Sequence, residues 1–159
     1  MIFFKLLGAV LLIGSGFGFA YRLNREMMIS LAQTEGFLRL LRHIQVKVEC
    51  FSLPMAGILS SADPLLLRAC GYERMETPTE LSELLEGCRI RDEESYRLMT
   101  SFSAEFGRGY REEQKRECEY YFSLLEQRRQ AISEALPLKK RRNSALCISG
   151  ALTAVIILL

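Results

Sequence analysis

The chain opens and closes on apolar runs. From Ile2 to Tyr21 only Lys5 is charged, and Arg22 and Arg25 follow at once; Lys139, Lys140, Arg141 and Arg142 stand just before Asn143-Ser144, and no charge occurs from there to Leu159. A run of roughly 17 uncharged, mostly apolar residues is at the short end of what crosses a bilayer as a helix. The pattern predicts a transmembrane helix at 2–22, a second at 143–159, and a helical domain at 23–138 between them. Both spans carry their basic flanks on the side facing the middle of the chain. Lys and Arg are enriched in cytoplasmic loops, so Arg22, Arg25, Lys139, Lys140, Arg141 and Arg142 are read as the topology signal, with the middle cytosolic and both termini across the membrane. Gly14 and Gly18 form a GxxxG pair, and Gly150 with Ala154 repeats that spacing, which makes Gly14, Gly18 and Gly150 the candidate packing points between the spans. The rival reading of the first run is a signal peptide with Gly18-Phe19-Ala20 before the cleavage point. Arg22 and Arg25 weigh against it, because positive charge just after such a site retards export.

Between the runs the periodicity is helical. Met27, Leu31, Leu38, Leu41, Ile44 and Val48 recur at helical intervals with Arg39, Arg42 and Lys47 between them, which predicts one long amphipathic helix from Leu23 to about Val48. Nothing between Ala20 and Asn24 is a strong stop signal, so this helix is expected to run on from the first span. Ser52-Leu53-Pro54 opens a second helix, to about Ser61, with Pro54 in its first turn. Asp63-Pro64 repeats the device for a short piece, Leu65 to Cys70, closed by Gly71. At Thr77-Pro78-Thr79-Glu80, Thr77 is placed to cap and Glu80 to reach back as in a capping box; Leu81, Leu84 and Leu85 follow, with an end near Gly87. Asp92, Glu93 and Glu94 put negative charge in a first turn, after which Tyr96, Met99, Phe102 and Phe106 form one apolar stripe. Gly107-Arg108-Gly109 ends it. The last helix of the domain, about Arg111 to Leu136, carries Cys118, Tyr121, Phe122, Leu125, Ile132 and Leu136 on one side, and Pro137 is expected to kink or briefly break it. No segment alternates as a strand does. The fold class is therefore all-α, a cytosolic antiparallel bundle of about six helices between two terminal transmembrane helices.

Composition changes this picture little, but charge and chemistry narrow it. Of the 21 basic residues only Lys5 lies outside the middle, which also holds all 19 acidic residues, so the domain is nearly neutral. A nucleic-acid footprint requires a strong basic excess; no nucleic-acid partner is expected. About 120 central residues suffice for one core and hardly for two. The five cysteines, Cys50, Cys70, Cys88, Cys118 and Cys147, are odd in number and include no CxxC pair, which suits apolar packing in a reducing compartment better than disulfides or zinc. His43 is the single histidine and reads as a surface or packing residue. The usual apparatus of an enzyme lacks parts: there is no nucleophile elbow and no phosphate loop ending in Gly-Lys-Ser or Gly-Lys-Thr. Gly107 and Gly109 read as a tight turn between helices. Glu112, Glu113, Glu117 and Glu119 alternate with Arg111, Lys115 and Arg116, the pattern of a solvated face rather than a metal cluster. No catalytic, cofactor or metal site is expected.

The order of parts resembles the stage III sporulation protein AB family of endospore-forming bacteria. The stretches that carry the likeness are Lys5-Leu6-Leu7-Gly8-Ala9, Gly16-Phe17 through Arg25, Phe102-x-x-x-Phe106-Gly107-x-Gly109 followed by Gln114 and Leu124-Leu125, and Ala145-Leu146 through Gly150 with its aliphatic tail. Ser52-Leu53-Pro54 stands where the family usually has Thr-Pro-Leu, and Cys147 where a glycine is usual. The resemblance implies likeness to the F-type inner-membrane platform protein of type II secretion and type IV pilus machines, whose cytosolic domains are six-helix bundles. It further implies a place in the mother-cell-derived outer forespore membrane, in the channel complex between mother cell and forespore, facing a secretion-type ATPase like stage III sporulation protein AA.

The function expected on these grounds is a non-enzymatic membrane platform or scaffold subunit. Its partners would be the lipid bilayer, that ATPase, other subunits of the channel complex and possible further copies of itself in a homo-oligomer. Arg108, Arg111 and Gln114, at the turn and helix start bearing the family-like signature, are the candidate docking residues. The alternative of another class is a membrane-anchored ligand-binding sensor or enzyme subunit.

Overall fold

The regular structure among the described residues is helical: α1 (Ile2–Phe51), α2 (Met55–Ser60), α3 (Pro64–Ala69), α4 (Leu81–Glu86), α5 (Glu93–Glu105) and α6 (Arg111–Leu158). One isolated antiparallel bridge joins Tyr72 to Cys88. The computed structural model describes residues 2–51, 53–107 and 109–158, without the side chains of 2–7, 9–13, 50–51, 151, 154–155 and 157–158. The all-α class follows from the sequence pattern as expected.

Helix boundaries are set by the residues that punctuate the sequence. α1 runs unbroken from the first apolar run into the amphipathic stretch, as the lack of a stop signal near Ala20 implied. Pro54 lies just outside α2 as its N-cap, in extended conformation, rather than in the first turn as expected; its fixed φ and missing N–H suit a helix entrance. Asp63 caps α3 by accepting from the Leu65 N–H at 2.8 Å, with Pro64 in the first turn. Gly71 then takes φ +91°, a conformation that glycine alone adopts without steric cost. Asp92 caps α5 through the Ser95 N–H at 3.0 Å.

Two further expectations are corrected. The helix after Thr77 starts later than the capping-box reading placed it: α4 begins at Leu81, Glu80 is the N-cap without a side-chain capping bond, and Glu83 reaches back to the Thr79 N–H at 2.7 Å and its hydroxyl at 3.0 Å. Glu83 wins because Pro78 is buried and holds the Thr77–Thr79 segment outside the helix. Pro137 does not break α6, which continues through it to Leu158. A proline removes one helical hydrogen bond and crowds one carbonyl, a local cost that good helix formers on both sides, Glu134 to Leu136 and Leu138 to Lys140, carry through.

The chain divides into two compact units, Ile29–Ala131 and the pair of terminal segments Met1–Met28 with Ile132–Leu159. The first lies inside the expected domain at 23–138. Within the second, both terminal segments are helical in backbone. Among the described residues no helix is long and apolar enough to cross a membrane; the side chains of 2–7 and 9–13, which include most of the aliphatic residues expected to form the first span, lie outside the described set, as do several of 143–159. Among the described residues, a Cβ built at Gly14, Gly18 or Gly150 meets no atom within 4 Å.

In the Ile29–Ala131 unit one hydrophobic cluster joins all six helices. Phe37, Leu40, Leu41 and Ile44 of α1, Ile58 and Leu59 of α2, Leu84 of α4, Met99 and Phe102 of α5 and Leu125 of α6 are wholly buried. Leu67 adds α3 to the same cluster. Gly36 lets α3 close on α1: a Cβ there would lie 2.6 Å from the backbone carbon and oxygen of Ala69. Lys115 pairs with Glu49 at 3.5 Å and Arg42 lies 5.0 Å above the Phe122 ring, which sets α6 antiparallel to α1.

Toward the other end of this unit the core turns polar. Asp92 is nearly buried and receives both arms of Arg128, Nε at 2.9 Å and Nη2 at 2.6 Å, while the Ser95 hydroxyl donates to the same carboxylate at 2.8 Å. The Ser95 and Thr34 hydroxyls are 2.9 Å apart, and Thr34 donates to the Ser30 carbonyl. Beside them Gln33 donates to the carbonyls of Cys70 at 2.8 Å and Arg89 at 2.9 Å, and accepts from the Arg91 N–H at 2.8 Å. Burial acts to raise the Asp92 pKa, but the hydrogen bonds from Arg128 and Ser95 outweigh it and hold the carboxyl below its ordinary value.

Three stability predictions follow from this packing, all measured by denaturation of the full chain in detergent. Gly36→Ala is expected to lower stability by about 1–3 kcal/mol from overpacking against the α3 backbone, although alanine gains up to ~1 kcal/mol in helix propensity; an unchanged midpoint would refute the close approach. Arg128→Ala leaves the nearly buried Asp92 carboxylate without the cation that meets both its oxygens and is expected to cost about 3 kcal/mol. A folded pKa below the unfolded one means that the Asp92 contribution is present above about pH 4 and is lost as pH falls through the folded value. Asp92→Asn should accordingly flatten the acid limb of the wild-type stability profile.

Candidate functional site

The α5–α6 turn that carries the sequence signature borders a groove of about 720 Å³. Its walls come from the α2 entrance (Leu53, Met55), from α4 (Leu81, Leu85), from α5 and its C-cap (Tyr96, Phe106), and from Gln114 of α6. Thr100 and Ser103 add hydroxyls to the α5 wall, and the charged residues among the described lining are Glu80 and Glu86, both exposed. The surface is thus apolar in its walls and acidic at its rim.

Local structure explains how the turn is built. The α5 ladder ends with the Phe106 N–H on the Phe102 carbonyl at 2.8 Å, and Gly107 at φ +89° turns the chain away. Gly109 has no such backbone requirement; a side chain there would collide with that of Glu113. Glu113 accepts from the Tyr110 N–H at 3.0 Å, the back half of a capping box at the start of α6. Phe106 is held at the groove wall by Phe102, 4.9 Å between ring centroids, and Phe102 by Tyr121 at 5.4 Å. The Tyr121 hydroxyl donates to Glu105 at 2.9 Å; burial first, and then that hydrogen bond, push the phenol up to about 12.

The docking candidates separate. Gln114 lines the groove, and its amide donates to the Gly109 carbonyl at 3.0 Å, so it also braces the turn. Arg111 is exposed as the first residue of α6 and is not part of the groove lining. Arg108 lies outside the described residues. Leu53, Thr100 and Ser103 escaped the sequence reading, because nothing in a linear pattern says that the entrance to α2 meets the far face of α5.

The basic residues read as a topology signal are all exposed. Within the terminal unit, Arg25 and Lys140 line one cavity of about 250 Å³ with Tyr21, Asn24, Met27, Met28 and Leu136. A further groove, about 530 Å³ between α1 and α6, has mixed charge: Glu35 and Arg39 line it beside Arg129, which bonds Glu126, and Arg42, which covers Phe122.

Among the described residues no group of three or more His, Cys, Asp or Glu is placed to hold a metal ion. His43 meets the Ile58 carbonyl and the Ser61 hydroxyl, each at 3.2 Å, a packing role between α1 and α2. One Glu117 carboxylate oxygen is buried without a partner, and burial, then Glu105 and Glu113, raise its pKa. Cys70, Cys88, Cys118 and Cys147 are free thiols, the first three buried. Burial pushes Cys70 up and raises Cys88 and Cys118 to about 12. Thiolates are the reactive form. Alkylation by iodoacetamide at pH 8 is therefore expected to spare Cys70, Cys88 and Cys118 in the folded chain and to modify them on denaturation; modification of any of them under native conditions would contradict their burial.

Comparison of the chain with protein-family models, with curated proteins and with solved structures found no match.

Proposed function

We propose that the chain is a non-enzymatic platform subunit of a membrane assembly, which binds a partner protein through the groove formed by α2, α4, α5 and the start of α6. One observation carries this reading. The groove combines apolar walls with hydroxyls and a carboxylate rim on helices fixed by a single core, the anatomy of a protein-docking surface rather than of a reaction centre. The resemblance of the flanking turn to the stage III sporulation protein AB signature supports a partner of the secretion-ATPase class, in a channel complex of the outer forespore membrane. The apolar terminal runs with inward-facing basic flanks support two membrane spans, at 2–22 and 143–159, with the bundle in the cytosol. A negative rim favours orientation of a partner that presents basic residues.

Two measurements test the proposal. Alkaline phosphatase fused after residue 60 is expected to be inactive and after Leu159 active; activity at residue 60 would place the bundle outside and remove the platform reading. Co-purification of the secretion-type ATPase with the full chain is expected to fall about tenfold or more when a single charge is placed in the groove wall by Thr100→Arg or Ser103→Arg, since unpaired charge in an interface core costs several kcal/mol. Unaltered capture would move the docking surface elsewhere, and retention of nucleotide by a chain that captures no ATPase would favour the sensor alternative.

A further inference from the structure

The bundle carries a second concavity whose chemistry is opposite to that of the groove. It measures about 600 Å³ and has Ile29 and Ala32 of α1 in its lining, with Arg68 from the last turn of α3 and Arg89 and Arg91 from the segment between α4 and α5. The acidic residue in the lining is Glu73. In a domain that holds nearly equal numbers of acidic and basic residues, three guanidinium groups against one carboxylate is a local exception.

The segment that bears two of these arginines is anchored like an element rather than a loose loop. The Arg89 N–H donates to the Gly71 carbonyl at 2.8 Å, and the Arg91 N–H to the Gln33 Oε1 at 2.8 Å. The Arg89 carbonyl accepts from Gln33 at 2.9 Å, and the Arg91 carbonyl from the Ser30 hydroxyl at 2.9 Å. Four hydrogen bonds thus fix the backbone of two residues that line the same pocket. The contact between Arg89 and Glu73 is 3.8 Å long, with side chains 63% and 66% exposed. Such a pair is worth little in water, so an oxyanion with better geometry displaces it. The planar fork of a guanidinium matches phosphate oxygens in pairs.

We propose that this pocket binds a phosphate group, held by Arg68, Arg89 and Arg91. The inference stands on this pocket alone and does not depend on the docking groove. Phosphate reaches such a site from a free anion or from the headgroup of an anionic phospholipid, and the two sources are separated by experiment. Thermal unfolding of the full chain in a neutral detergent, at constant ionic strength, is followed by circular dichroism with inorganic pyrophosphate, and separately with phosphatidylglycerol or phosphatidylcholine in mixed micelles.

A rise in midpoint with pyrophosphate identifies a free-anion site, and a rise with phosphatidylglycerol alone a headgroup site. In either case the half-saturating concentration should increase about tenfold or more in R68Q/R89Q/R91Q, which loses charge-assisted contacts, and stay unchanged in the control R97Q/R116Q. Glu73→Gln removes the carboxylate that pairs with Arg89 and is expected to lower that concentration, a gain that no folding defect mimics. The proposal is overturned if neither ligand raises the midpoint, if the triple variant responds like the wild type, or if Glu73→Gln leaves binding unchanged or weaker.

Discussion

The carboxylate of Asp92 is the constraint on which the bundle depends. A charge so nearly buried is tolerated only when it is paired and its remaining lone pairs are bonded, and here both oxygens meet Arg128 while Ser95 supplies a backbone and a hydroxyl donor. Through Ser95 and Thr34 the network reaches α1, so three helices are fixed at one height. Buried ion pairs are a poor source of net stability. Their effect is on register. Sliding α6 by one turn, about 5.4 Å, would exchange one aromatic or aliphatic contact for another along Tyr121, Phe122 and Leu125, but it would leave Asp92 without its guanidinium. The apolar core admits neighbouring registers that the polar end forbids.

Gln33 does for the connecting segments what Asp92 does for the helices. Tyr72 and Cys88 form an isolated bridge, closed by the Glu73 N–H on the Gly87 carbonyl and the Arg89 N–H on the Gly71 carbonyl, and two short strands alone are marginal in water. The Gln33 amide acts as a third, one-residue strand, donating two bonds and accepting one, where a peptide group would donate through a single N–H. Its side chain therefore converts a loop into an extension of the helical core. Gly71 contributes by its left-handed conformation and by leaving the space that the Gln33 amide occupies.

Much of this was legible in the sequence where a residue acts on its own neighbours. Pro54, the Asp63-Pro64 pair, Asp92 with Glu93 and Glu94, and Gly107 each set a boundary close to where the sequence placed it, because capping and φ restriction are local. The start of α4 was not, since Glu80 and Glu83 both follow Thr77-Pro78-Thr79 at capping distance and the choice between them is made by burial of Pro78. The single stripe traced along α1 through Leu31, Leu38, Leu41 and Val48 missed Phe37 and Leu40, because α1 is covered on more than one side, by α3 at Gly36 and by α6 near Arg42. Gln33, Thr34, Asp92 and Ser95 continue the same stripes in polar form, which a search for apolar periodicity discards. The groove was legible only at Phe106, Gly107 and Gln114; its other wall depends on how distant helices meet.

Near-neutrality overall conceals a separation of charge within the Ile29–Ala131 unit. Carboxylates rim the groove beside Gln114, which adjoins Lys115 and its partner Glu49 on α1, whereas the arginine pocket begins at Ile29 and Gln33. Residues 33 and 49 of one helix are about 24 Å apart at 1.5 Å per residue, more than two Debye lengths at physiological salt. Opposite charges held that far apart do not neutralise one another, and each surface keeps its own field at short range. Summed charge is therefore the wrong quantity from which to judge the partners of this domain. The relevant one is the charge at each concavity, which Asp92 and Gln33 fix by setting the height of α6 and the position of the segment that carries Arg89 and Arg91.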